Sequence, residues 1–140
     1  MFAQRSCTVA TDGEALRDGH ILVAPGDAHI VCTRVGSRVR VRLSQEGQLN
    51  GCLPSVNPMF VSAAEVFGAG TLGVVLSGMG RDGAEGARFI RQHGGTVIVQ
   101  DQATSVVWGM PKAIYAAGDA SLVLPPESIG AALRPRRKVA

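Results

Sequence analysis

Two continuous apolar runs, "TLGVVLSG" from Thr71 and "TVIVQ" from Thr96, flank a helix-like stretch from Gly83 to His93 that Gly94 and Gly95 bring to a stop. Runs of this kind are the pattern of strands buried on both faces, which is how parallel sheets are built. Two such strands joined by a helix must pair through a crossover, and crossovers in one sheet are right-handed. The alternation continues beyond Gln100. "MPKAIYAAG" reads as a short helix ended by Gly118, "SLVLP" as a strand and "PESIGAALR" as a last short helix. From Thr71 onward the chain therefore predicts an α/β architecture with a parallel sheet.

The first half follows a different period. "HIVCTRV" and "RVRVRLS" alternate apolar and polar residues on either side of Gly36-Ser37. Alternation around a glycine-containing two-residue turn predicts an antiparallel hairpin. "HILVAP", from His20, predicts a short strand stopped by Pro25-Gly26. Residues 1–19 read as polar and irregular, and "SQEGQLNGCLPS" reads as loop. Asn57-Pro58 reads as an N-cap and first helical residue, opening a helix through "MFVSAAEVFGAG".

Bulk properties exclude several classes. A chain of 140 residues, 46% hydrophobic and 18% charged, predicts one globular domain with a real core. The formal charge is +3, but Arg134, Arg136, Arg137 and Lys138 supply four positive charges in a terminal segment. That segment, 134–140, reads as a solvated basic tail, and the rest carries no stripe suited to nucleic acid. No apolar run approaches the roughly 18 residues of a membrane span, and the first residues lack a signal-peptide core. Cys7, Cys32 and Cys52 are odd in number and lack metal-ligand spacing, which predicts reduced thiols in a cytoplasmic protein.

The densest chemical signal is Gly78-Met79-Gly80-Arg81-Asp82-Gly83, set between a strand and a helix, with Asp101 roughly 20 residues on. One reading is a dinucleotide fingerprint, in which glycines admit a pyrophosphate to the helix start. Asp82 opposes it, since a carboxylate beside the third glycine repels phosphate. The loop also lies past the middle of the chain, whereas the fingerprint usually opens its domain. The same position suits an ionised carboxylate instead, because a helix N-terminus stabilises negative charge by roughly 0.3–1 kcal/mol. An aspartate there can orient a histidine, or can simply cap the helix that follows it.

"LVAPGDAHI", "PSVNPMFVSAA", "GVVLSGMGRDGAEG" and "QDQATSVVWGMPKAIYAAG" occur in this order. Together they resemble the chemotaxis protein-glutamate methylesterase family, the CheB-like catalytic domains, over about residues 8–133. The resemblance implies a doubly wound, mostly parallel α/β sheet with an inserted antiparallel hairpin. It implies hydrolysis of glutamyl methyl esters on chemoreceptors, and in many members deamidation of receptor glutamines, by a Ser-His-Asp triad without a cofactor or metal. Residue by residue, the family's catalytic aspartate falls on Asp82, and the amide credited with part of the oxyanion hole falls on Met79. Gly78, Gly80 and Gly83 let that loop turn and let its backbone approach substrate.

The departures are as informative. The family's serine and histidine belong to βα units that precede the part matched here. The expectation is therefore an N-terminally truncated methylesterase domain over 1–133, inactive alone. The alternatives are an enzyme half completed by a second chain carrying the serine and histidine, and a small-molecule or nucleotide-binding module built on the glycine loop. Among the histidines, His29 occupies a stretch the family does not use as the base, and His93 ends a helix, where a cation suits the dipole. His20 opens the predicted strand "HILVAP". Ser55, Ser77 and Ser105 do not sit on a strand-to-helix elbow, and Cys52 lacks an evident base. The family's His-Arg-Pro-Ser-Val-Asp segment is Cys52-Leu53-Pro54-Ser55-Val56-Asn57 here. Expected partners are chemoreceptor cytoplasmic regions or a complementary N-terminal half, and a further copy of the chain, since a missing neighbour would leave "TLGVVLSG" with an unpaired edge.

Overall fold

The computed structural model of the chain describes residues 5–46 and 51–134; the basic tail beyond Arg134 lies outside them. In chain order the strands and helices are β1 (Cys7–Val9), β2 (Ile21–Val23), β3 (His29–Val35), β4 (Arg38–Ser44), α1 (Val56–Phe67), β5 (Leu72–Val75), α2 (Ala84–Gln92), β6 (Thr96–Gln100), α3 (Met110–Ala116), β7 (Leu122–Leu124) and α4 (Pro126–Ala132). A single 3-10 turn, Gly68–Gly70, joins α1 to β5.

The predicted hairpin forms as β3 and β4, antiparallel, with Val35 opposite Arg38 across Gly36-Ser37. Gly36 takes φ +61°, the conformation a tight two-residue turn asks of its first central residue. Ile30 and Val41 turn inward and are buried, together with Ala10. The predicted parallel unit forms as β5-β6-β7, with every pairing parallel. Its central strand β6 is buried over Val97–Gln100. Phe60 and Ala64 from α1, Ala87 and Ile90 from α2, and Ile114 from α3 close over Val75, Val97 and Val99 to make the main core. Met59 packs against both this core and the hairpin cluster, so α1 joins the two halves.

Three expectations need correction. Residues 1–19 are not irregular throughout: Cys7–Val9 is a strand, parallel to β2. Gly13–Leu16 also bonds along β4, through Val41 and Val39. Neither shows in the sequence, because a three-residue strand has no room to display a period. The N-cap of α1 is Ser55, not Asn57; Ser55 has extended backbone and its hydroxyl oxygen accepts from the Asn57 N–H. Pro58 is then the third helical residue, still within the first turn, where a missing N–H removes no helical bond. Finally, β5 is buried on one face only. Gly73 and Val75 face the core, while Leu72 is 43% and Leu76 52% exposed.

α1 and α2 cross closely enough to need a glycine. A Cβ built on Gly86 would lie 2.6 Å from the Cβ of Phe60 and 3.2 Å from the backbone of Asn57. Burial pushes the Cys32 thiol above its usual range. The Cys32 N–H donates to the hydroxyl of buried Ser62, which fastens β3 to α1. No helix among the described residues is long and apolar enough to cross a membrane.

Two glycine substitutions should therefore act with opposite sign. Gly86→Ala should destabilise the fold by about 1–3 kcal/mol through overpacking against rigid atoms. Gly130→Ala, in α4 with nothing within 4 Å of its added Cβ, should stabilise by up to about 1 kcal/mol. Denaturant melts of the two variants check this; equal effects would contradict the close crossing.

Candidate functional site

The glycine loop leaves the C-terminal end of β5 and is held against the segment that follows β6. Gly78 donates its N–H to Val107 O at 2.9 Å, and its carbonyl accepts from Gly109 at 3.1 Å and Met110 at 2.8 Å. The approach is close on both sides. A Cβ on Gly78 would meet the Met110 sulfur at 2.8 Å, and one on Gly109 would meet Gly78 O at 2.9 Å. Gly80 and Gly83 both take φ +92°, a region that other residues rarely enter. Just before Gly80 the loop presents Met79, 85% exposed, and between the two glycines it returns Asp82 to the protein.

Buried Gln100 braces this arrangement from β6. Its side-chain oxygen accepts from the Ser77 N–H at 2.7 Å, and its Nε2 donates to the Thr104 carbonyl at 3.0 Å. The Trp108 indole N–H donates to the Gln100 carbonyl at 2.9 Å. Ser77 Oγ donates to Val107 O and accepts from Val107 N–H, so this serine is a fastener. Ser105 likewise donates to Asp101 O. Sequence reasoning passes over Gln100, although a polar residue ending an apolar strand is a signal that could have found it.

Asp82 does not cap the helix that follows it. α2 starts from Gly83, which has no side chain to cap it. The carboxylate instead reaches the start of α1, where Oδ1 accepts from the Ser55 hydroxyl at 2.7 Å and Oδ2 from the Val56 N–H at 2.9 Å. The favour is returned, since the Asn57 side-chain oxygen accepts from the Gly86 N–H in the first turn of α2 at 2.9 Å. Each helix is thus capped by a residue belonging to the start of the other. A carboxylate offers about four lone-pair sites, so with one donor on each oxygen Asp82 can still accept a further N–H.

Ser55 also meets His29, which is fully buried at the start of β3. The Ser55 backbone N–H donates to His29 Nδ1 at 2.9 Å. Serine, histidine and aspartate therefore stand together, but not connected as a nucleophilic triad. The serine hydroxyl points to the aspartate, and the histidine receives the serine's backbone, so His29 cannot take the hydroxyl proton. A second serine–histidine contact joins β1 to β2: Ser6 Oγ lies 2.5 Å from His20 Nδ1, and Thr8 Oγ1 lies 2.9 Å from His20 Nε2. Glu14 is farther from that ring, at 3.8 Å. Its carboxylate accepts from the Thr11 N–H, which holds its pKa below the usual range. His93 is the C-cap of α2, with its ring stacked on Phe89 at 4.3 Å. Cys52 is exposed.

The remaining donors and acceptors do not suit a dinucleotide. The Gly86 N–H that would meet a phosphate is taken by Asn57. Asp101, which would hold a ribose, accepts from the hydroxyl and N–H of Thr104 in its own loop. Among the described residues no group of three or more His, Cys, Asp or Glu is placed to hold a metal ion.

Replacing Asp82 should be felt at α1. Asp82→Ala strands the Ser55 hydroxyl and the Val56 N–H and should cost about 2 kcal/mol. Asp82→Asn keeps one acceptor and should cost about half as much. Equilibrium melts measure both, and amide exchange should quicken in the first turn of α1 in the alanine variant. A silent Asp82→Ala would contradict the capping role.

Comparison with known proteins covers the same span of the chain. Residues 2–133 match the family model described as CheB methylesterase. A protein-glutamate methylesterase/protein-glutamine glutaminase 1 of Rhodospirillum rubrum is 48% identical over 122 residues, which is 87% of this chain and 32% of that protein. A similarly named protein of Pyrococcus abyssi is 42% identical over 120 residues, 86% of this chain and 33% of that one. The chain thus spans about a third of the length of the curated relatives it matches. The crystal structure of the Thermotoga maritima CheB methylesterase catalytic domain superposes with a TM-score of 0.87 at 38% identity, covering 89% of this chain and 66% of that one. The fold, the hairpin and the matched span agree: the chain belongs to the CheB methylesterase family.

Proposed function

We propose that this chain carries the acid-and-oxyanion portion of a protein-glutamate methylesterase site over residues 1–133, and that it is catalytically silent until a serine and a histidine are brought to it. The observation that supports this best is the state of Asp82. Both of its oxygens are fixed by Ser55 and Val56, yet the carboxylate keeps capacity for one more donor. That is what an imidazole-orienting aspartate requires. In the completed site the serine attacks the glutamyl ester carbonyl while the histidine takes its proton, and Asp82 holds the imidazole in the productive tautomer. The Met79 N–H faces the developing oxyanion. Gly78, Gly80 and Gly83 keep the loop backbone open to substrate. The histidine returns its proton to the departing methanol, and water then releases the acyl group from the serine. The substrate class is a glutamyl methyl ester, or a glutamine amide, on a chemoreceptor.

The surface supports completion by further chain. β5 stands at the edge of its sheet among the described residues. On β1, β2 and β7, Val9 is 60%, Ile21 45%, Val23 47% and Leu122 48% exposed. Parallel strands ordinarily bury both faces, and an open apolar edge invites pairing. A complementary N-terminal segment covers these residues in the working enzyme, and a second copy of the chain covers them in its absence.

Methanol release from a methylated receptor fragment tests the proposal. The chain alone should release none above background. A mixture with a second polypeptide carrying the family's Gly-rich serine loop and histidine should be active, and Asp82→Ala should lower its kcat by about 10⁴-fold. Sedimentation at micromolar concentration should show self-association of the chain alone, relieved by the second polypeptide. Methanol release by the isolated chain above an Asp82→Ala control would overturn its silence, and a mixture whose activity survives Asp82→Ala would overturn the role of Asp82.

A further inference from the structure

We infer that Ser55 and His29 are positioning residues for Asp82: Ser55 sets the plane of the carboxylate, and His29 sets the peptide that presents Ser55. This rests on reading Asp82 as the acid of a triad.

The hydroxyl of Ser55 has one proton to give. It goes to Asp82 Oδ1 at 2.7 Å, rather than to His29 or to solvent. The next peptide, at Val56, gives its N–H to Oδ2 at 2.9 Å. Two donors from consecutive residues, one on each oxygen, fix both the place of the carboxylate and its rotation about the terminal bond. Capping alone does not ask for this. The hydroxyl oxygen of Ser55 already caps its own helix through the Asn57 N–H at 3.3 Å, and an aspartate or asparagine at position 55 could do that as well. Only a short side chain that accepts from its own helix and donates to Asp82 does both, and an aspartate there would set two carboxylates against each other.

The fork needs the Ser55 peptide to stay in place. That peptide donates its N–H to His29 Nδ1 at 2.9 Å, across 26 positions of sequence. A nitrogen that accepts is unprotonated, so the neutral ring carries its proton on Nε2. The ring is fully buried, and Nε2 is without a partner among the described residues. A buried donor left unmade is unfavourable, whereas an apolar side chain of similar size would carry no such penalty. The histidine is therefore kept for its accepting Nδ1. It ties the start of the hairpin to the start of α1, and so to the acid.

Two sets of measurements test this on the full chain. In nitrogen-detected spectra His29 should show the Nε2–H tautomer, with a scalar coupling across the hydrogen bond from the Ser55 N–H. Ser55→Ala should shift the Asp82 carboxyl carbon and the Val56 N–H, and Ser55→Thr should restore both. His29→Asn, whose side-chain oxygen can stand where Nδ1 stood, should keep these resonances, while His29→Leu should move them. A protonated Nδ1, or unmoved Asp82 and Val56 signals in Ser55→Ala, overturns the network, and the wild-type spectra decide even if a variant fails to fold. In the active mixture with the serine- and histidine-bearing polypeptide, Ser55→Ala should lower kcat about tenfold with KM unchanged, and Ser55→Thr should recover most of it. A disabled Asp82→Ala beside a fully active Ser55→Ala overturns this inference alone. An Asp82→Ala mixture as active as the wild type overturns the reading of Asp82, and the inference falls with it.

Discussion

Two helices begin side by side, and each gives one N–H of its first turn to a side chain at the start of the other. Asp82, just before α2, takes the Ser55 hydroxyl and Val56 N–H of α1; Asn57, in the first turn of α1, takes the Gly86 N–H of α2. Helix starts carry unmet donors and partial positive charge, so this exchange answers both with a single crossing. It also fixes where the glycine loop must end, because Asp82, which takes the first N–H of α1 beside its cap Ser55, is the loop's last residue before Gly83. The catalytic geometry proposed for Asp82 is thus inseparable from the packing of the helix pair.

Close approach makes the exchange possible. Gly86 lets α2 lie against Phe60 and Asn57, and Gly78 and Gly109 let two loops at the sheet's C-terminal end share backbone bonds. Gln100 then ties Ser77 to Thr104 beneath them. The loop is held from below by β6, from the side by the segment before α3, and at its end by α1. Open α/β sheets place their ligands outside the carboxyl ends of the strands, and this is the end of β5 and β6 that the braces hold.

Much of the fold was legible because its periods are strong. The alternation of residues 29–44 around Gly36-Ser37 could only be a hairpin, and the apolar runs from Thr71 and Thr96 with a helix between them could only be a parallel pair. Short or borrowed features were not legible. β1 has three residues and is defined by its partner rather than by its own pattern. Leu72 and Leu76 read as buried because an apolar run says nothing about whether a neighbour is present to bury it. In the site, the motif identified Asp82 as a residue of interest but not what it touches. Its donors lie 26 and 27 positions away, at a residue that Asn57-Pro58 overshadowed as a capping signal. His29 was set aside as a base, and its contact with Ser55 belongs to tertiary structure and leaves no trace in sequence.

A double-mutant cycle between Ser55 and Asp82 addresses the central contact most directly, with unfolding free energies measured for the wild type, Ser55→Ala, Asp82→Ala and the double variant. Residues in one hydrogen-bond network show coupling of roughly 0.5–3 kcal/mol. The account predicts a coupling of about 1 kcal/mol or more, with the double variant little worse than Asp82→Ala alone. Strictly additive losses would mean that the serine and the carboxylate act independently, and would contradict it.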